Sequence, residues 1–190
     1  MKTAAFVTSI LASAMAVLAD DNQSPPFSLQ LTSDNSEFNG KYVGACHSGA
    51  AIESACISDQ PVTMHLNTSS PNNFDNGIIT WVLPSSIPVY SSLGLVTNPT
   101  SNVAQGIFEP GTDYKSYFSF YNDKLVLYSG VDDTKFPIEA GEAKPVDHWY
   151  ICESYWIGYR YKTLSWVYGS DDAKPQNPKC VKVSVKRVYQ

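Results

Sequence analysis

The chain has 190 residues, 13 basic and 18 acidic, for a net charge of −5. No basic block is long enough to follow a phosphate backbone, which argues against a nucleic-acid partner. The three histidines, His47, His65 and His148, are scattered and the cysteines lack CxxC spacing, so neither a metal site nor a cofactor is expected.

Residues 1–19, MKTAAFVTSILASAMAVLA, place Lys2 ahead of an apolar run from Ala4 to Val17 and end in Val17-Leu18-Ala19. Small residues three and one before a cut suit signal peptidase, and the run is short for a bilayer span. This predicts a secretory signal peptide removed before Asp20, and a secreted, extracellular protein. The remaining 171 residues (190 − 19) fit one domain over 20–190. No later segment offers 18 uninterrupted apolar residues, so no membrane partner is expected.

Beyond the leader, apolar residues alternate or run in fours and fives, with Pro, Gly, Asn and Asp interrupting every eight to twelve residues. That pattern belongs to strands and turns, and predicts an all-β fold. In chain order, strands are expected over 27–31, 41–45, 62–66, 78–83, 117–121, 124–129, 148–152 and 181–189. A single helical turn is expected within HSGAAIES (47–54), where Ala and Glu tolerate helix. Asn122-Asp123 reads as a two-residue hairpin turn, because both residue types accept positive φ. In the last strand Val181, Val183 and Val185 face one way while Lys182, Ser184 and Lys186 face the other. Short strands in this number fit a β-sandwich, a closed barrel or a β-trefoil.

Four cysteines in an exported chain favour disulfides. Of the three pairings, Cys46 with Cys56 and Cys152 with Cys180 is preferred, because both close local loops; each is worth roughly 3 kcal/mol in chain entropy. Asn67-Thr68-Ser69 is an N-glycosylation sequon in a stretch that reads as an exposed loop, and Asn22-Gln23-Ser24 is a second, with Pro25 directly after it.

Residues 148–168 hold the densest aromatic stretch. Read as one extended strand, 155–162 places Tyr155, Ile157, Tyr159 and Tyr161 on an interior face, and Trp156, Arg160 and Lys162 together on the other. The second set is the candidate binding surface, since projecting aromatic faces stack on sugars or anchor proteins. The acids Glu109, Asp113, Asp147 and Glu153 lie beside aromatic or turn residues, but solvated turn carboxylates are the default and no catalytic residue is assigned. Cys46-His47-Ser48 is not a nucleophile constellation, because adjacent side chains on a strand point apart. Asp132-Asp133 and Asp171-Asp172 read as solvated turns rather than calcium ligands. Lys179, Lys182, Lys186 and Arg187 form a basic C-terminal stripe that reads as protection against edge-to-edge pairing.

The stretches LTSDNSEFNGKYVGACHSGAAIESAC, SNVAQGIFEPG, NDKLVLYSGVDD and TLSWVYGSDDAKPQNPKCVKVSVKRV together resemble a family of uncharacterised small secreted proteins of filamentous ascomycete fungi, grouped as a domain of unknown function. The resemblance covers almost the whole mature chain and implies a fungal source and an extracellular life. Proteins of this kind are suspected as effectors in virulence and host interaction, and the family supplies no catalytic or binding residues to carry over. The expectation is a monomeric, non-catalytic binding protein whose partner is an extracellular protein, such as a host or competitor protease, or a cell-wall glycan. The alternatives are an extracellular hydrolase with a carboxylate pair, and a structural protein of the wall surface.

Overall fold

The computed structural model describes residues 22–112, 116–132, 136–170 and 172–190. The expected signal peptide and the acids Asp113, Asp133 and Asp171 lie outside the described residues. Among the described residues every regular element is a strand, and no helix is long and apolar enough to cross a membrane.

The sheet is best followed from its most regular pair. β2 (Phe27–Thr32) runs antiparallel to β15 (Ser184–Tyr189) through six residue pairs, Phe27↔Tyr189 to Thr32↔Ser184. On its other side β2 meets β3 (Tyr42–Gly49), which turns directly into β4 (Ile52–Ser58). β4 passes to β8 (Val103–Pro110), β8 to β7 (Val89–Val96), and β7 to β6 (Asn76–Leu83). From β6 the neighbours continue through β9 (Phe118–Tyr121) and β10 (Lys124–Asp132) back to β15. The path closes on itself, so the fold is a closed barrel, one of the three expected architectures.

Further strands extend this ring. β5 (His65–Thr68) adds to β6 and carries β1 (Asn22–Gln23). β11 (Glu139–Val146) folds back on β10. β13 (Tyr159–Val167) joins β4 and β8, then pairs β12 (Trp149–Trp156), which takes β14 (Cys180–Lys182) at its far edge. Gly106 sits where β4, β8 and β13 converge: a Cβ there would lie 2.9 Å from the Leu164 carbonyl oxygen and 3.1 Å from the Ala55 Cβ.

Strand alternation fills the interior. Phe27, Leu29 and Leu31 of β2 and Val183 and Val185 near the C-terminus are buried in one cluster with Leu66, Ile79, Phe108, Phe118, Leu125, Trp149 and Leu164. Each such side chain contributes about 1.5–3 kcal/mol by leaving water. Trp149 also satisfies its one polar atom, its indole N–H donating to the Leu125 carbonyl at 2.8 Å.

Two expectations about local structure change. The helical turn over 47–54 is not formed; those residues belong to the β3–β4 hairpin, whose tight turn places Ala51 at φ 56°. Helix tolerance in four or five residues loses to a ladder of cross-strand hydrogen bonds braced by a disulfide. The basic C-terminal stripe is also broken. Arg187 has the inward parity of Val183 and Val185 and is only 7 % exposed. Its guanidinium bonds Asp123 at 3.1 Å and the Phe74 carbonyl, and lies 4.3 Å and 4.9 Å from the centroids of Phe120 and Tyr189. It is a buried tie between β15 and the β9–β10 turn.

Candidate functional site

Residues 149–167 do not form one extended run but a hairpin. β12 and β13 pair without interruption from Trp149↔Trp166 to Trp156↔Tyr159, joined by Ile157-Gly158 alone. Both turn residues have positive φ, 45° and 96°, as a two-residue hairpin turn requires. Glycine meets that demand without strain. Isoleucine does not, because its branched Cβ crowds the backbone there.

The turn reassigns the faces. Residues directly opposite in a ladder share a face, so Tyr155 lies with Arg160, and Glu153 with Lys162, whereas Trp156 lies with Tyr159. The expected patch of Trp156, Arg160 and Lys162 is therefore split between two faces, and the set expected inside is largely outside: Tyr155 is 65 % and Ile157 67 % exposed. Trp156 is half-buried, with its indole nitrogen enclosed and, among the described residues, without a hydrogen-bond partner. Lys162 is engaged by Glu37 and lies 5.6 Å from the Phe38 ring centroid. Arg160 lies 5.9 Å over the Tyr155 ring and forms no ion pair among the described residues.

The hairpin is held firmly below its tip. Cys152 is bonded to Cys180, tying β12 to β14, and Lys179 Nζ donates to Glu153 at 2.5 Å. This hydrogen bond, with the lysine charge beside it, holds the Glu153 carboxyl below the usual carboxylate range. On the opposite face the Tyr161 hydroxyl donates to the His47 carbonyl at 2.9 Å, and the His47 ring meets Tyr159 edge-on at 5.6 Å. His47 Nδ1 lies 3.4 Å from Glu53, a carboxylate only 4 % exposed that the sequence reading overlooked. An open groove of about 420 Å³ beside the tip is lined by Tyr155, Arg160, Tyr161, Lys162 and Lys179.

A second concavity, about 810 Å³, lies where the β10–β11 hairpin overhangs the far end of β12 and β13. Its shape comes from a bulge: Ser129 pairs Lys144 and Val131 pairs Ala140, so residues 141–143 stand opposite Gly130 alone. Gly130 is required by that crowding, since a Cβ would lie 2.9 Å from the Gly141 carbonyl oxygen. His148, stacked on Trp166 at 5.5 Å, lines the groove with the exposed rings of Tyr128 and Tyr168. Partial burial pushes the Tyr168 hydroxyl above the usual tyrosine range. Glu139, Glu142 and Asp172 line the same groove against Lys144, giving it a net negative charge.

The remaining candidates are dispersed. Cys46 is bonded to Cys56, so neither it nor Cys152 is a free thiol. Asp147 accepts from Ser184 at 2.6 Å and lines a different cleft from Glu153. Glu109 sits on β8 opposite Ser92. Asn67 lies within β5 rather than in a loop, half-buried, its side-chain oxygen accepting from Gln23 at 3.2 Å; Asn22 is on β1, opposite Thr68. Among the described residues no group of three His, Cys, Asp or Glu side chains is placed to hold a metal ion.

No curated protein and no solved structure matches the chain. A family model described as a domain of unknown function, DUF7907, matches residues 24–189, which spans the barrel, both disulfides and the β12–β13 hairpin. The chain belongs to the DUF7907 family.

Proposed function

We propose that this is a secreted, effector-like, non-catalytic binding protein of a filamentous fungus, which holds an extracellular protein of a host or competitor through the tip of the β12–β13 hairpin. The observation that carries this reading is Ile157. A left-handed conformation costs an L-residue about 1–2 kcal/mol, and Ile157 adopts it at the most exposed point of a hairpin, with 67 % of its surface in water. Folding alone favours Asn-Gly or Gly-Gly at such a turn. An isoleucine there trades stability for a projecting apolar group, a trade that strained residues at binding sites make.

The neighbours suit the same role. Tyr155 and Tyr159 flank the isoleucine and Arg160 rises beside them, the residue types that dominate the energetics of protein interfaces. The disulfide below the tip and the Tyr161–His47 bond hold the hairpin in place, so little conformational freedom is lost on binding. A rigid projecting hairpin of this kind suits the blocking of a protease cleft.

The test uses Ile157→Asn, which restores a favoured turn pair. Thermal melting is expected to shift upward by roughly 3 °C, while the immobilised mature protein loses at least about tenfold of its capture from extracellular fluid, the equivalent of about 1.4 kcal/mol. A variant that is more stable and still captures the same proteins overturns the assignment to the tip.

A further inference from the structure

The tip and the groove under the β10–β11 overhang are complementary in charge and in surface. The tip presents Ile157 between two tyrosines, with the guanidinium of Arg160, which forms no ion pair among the described residues, beside them. The groove presents two exposed tyrosines beside a stacked His148–Trp166 pair, with Glu139, Glu142 and Asp172 along it. A projecting apolar knob carrying a cation is matched by an aromatic recess whose lining is net negative.

The two cannot meet within one molecule. His148 and Trp166 sit at the start of β12 and the end of β13, whereas the tip is at the other end of the same hairpin. Seven residue steps from Trp149 to Trp156, at about 3.3 Å each, separate them by about 23 Å, and the uninterrupted ladder keeps the hairpin from folding back.

We infer that the hairpin tip of one copy docks into the β10–β11 groove of a second copy, head to tail. Ile157 enters between Tyr128 and Tyr168, and Arg160 meets Glu142 and Asp172. Each docked pair still offers one free tip and one free groove, so association extends as a chain instead of stopping at a symmetric dimer. The inference uses the tip assigned above to partner binding and adds its regulation: at high concentration tips are covered by neighbouring copies, and dilution uncovers them.

Sedimentation velocity on the mature protein tests this without any external partner. Between about 5 and about 500 µM the weight-average mass is expected to rise beyond twice the monomer by mass action, and to fall back when salt is raised from about 0.05 to about 0.5 M. Arg160→Glu reverses the tip and leaves the groove; Glu142→Lys reverses the groove and leaves the tip. Both positions are exposed, so near-ultraviolet circular dichroism should stay native, and Arg160→Gln serves as a milder tip variant. Each reversed variant alone is expected to remain monomeric, while their mixture regains association, because an intact tip meets an intact groove at one joint and the two reversals restore opposite charges at the other. A wild type that stays monomeric, a mixture that behaves as the sum of its parts, or variants that associate like the wild type would each overturn the inference. None of these results affects the Ile157→Asn capture experiment, so the two readings fail separately.

Discussion

Parity along a strand explains most single residues here, including the ones that break a chemical pattern. Arg187 belongs to the inward row of Val183 and Val185. A cation in that row is tolerated because its guanidinium finds Asp123, Asp75 and a backbone carbonyl, and two rings cover its faces. The alternation in the C-terminal strand places Arg187 inside, on the row of Val183 and Val185, against the surface position that its charge alone predicts. Glu153 shows the opposite case, an exposed carboxylate lowered first by Lys179, with smaller contributions from Lys162 and Arg160. Its lowered pKa means that the Lys179 contact is fully present above the ordinary carboxylate value near 4.3, and is lost as pH falls through the depressed native value. Carbon NMR titration of the Glu153 carboxyl should therefore show a midpoint that moves upward in Lys179→Ala. An unchanged midpoint would show that the Lys179 contact does not set the titration.

At the level of elements, the two disulfides have different work to do. Cys46–Cys56 closes a separation of 10 residues inside the β3–β4 hairpin, where the strand ladder already holds the pair together. Cys152–Cys180 closes 28 residues and fixes the three-residue strand β14 to β12. Chain entropy assigns them about 2.7 and about 3.6 kcal/mol respectively. The double replacement Cys152→Ala with Cys180→Ala is thus expected to lower the thermal midpoint more than Cys46→Ala with Cys56→Ala. The reverse order would place the main brace at the β3–β4 hairpin. Strands rich in β-branched and aromatic residues, such as β2, β6 and β10, were visible from their composition. β11, with the sequence EAGEAKPV, was not: its first seven residues are exposed and no burial pattern marks it, so only pairing with β10 makes it a strand.

For the molecule as a whole, a single core links the beginning and end of the described chain. Phe27 and Val185 belong to one buried cluster with Trp149 from the outer hairpin. Unfolding by urea is accordingly expected to be one cooperative event, with tryptophan fluorescence and far-ultraviolet circular dichroism changing together. Two separated transitions would show that the β12–β13–β14 extension melts independently of the barrel. Closure of the sheet also accounts for the placement of the two concavities, since both lie where strands continue past the ring: at the free end of the β12–β13 hairpin, and beneath the β10–β11 overhang.

Alternating apolar residues, frequent turn formers and an even number of cysteines in two local pairs determined by themselves an all-β, disulfide-braced protein, because strand periodicity and local loop closure are properties of nearby residues. The binding surface was a different matter. Trp156, Arg160 and Lys162 share a parity, and on a continuous strand they would share a face; the turn at Ile157-Gly158 sends Trp156 to one side and Arg160 and Lys162 to the other. An isoleucine does not announce a left-handed turn, so nothing short of the tertiary pairing could reveal it. The acidic groove likewise draws its lining from the β10–β11 hairpin and from the stretch after β13, with Tyr128 and Tyr168 forty residues apart in the chain. Which residues meet across such distances depends on how the barrel closes, and only the fold decides that.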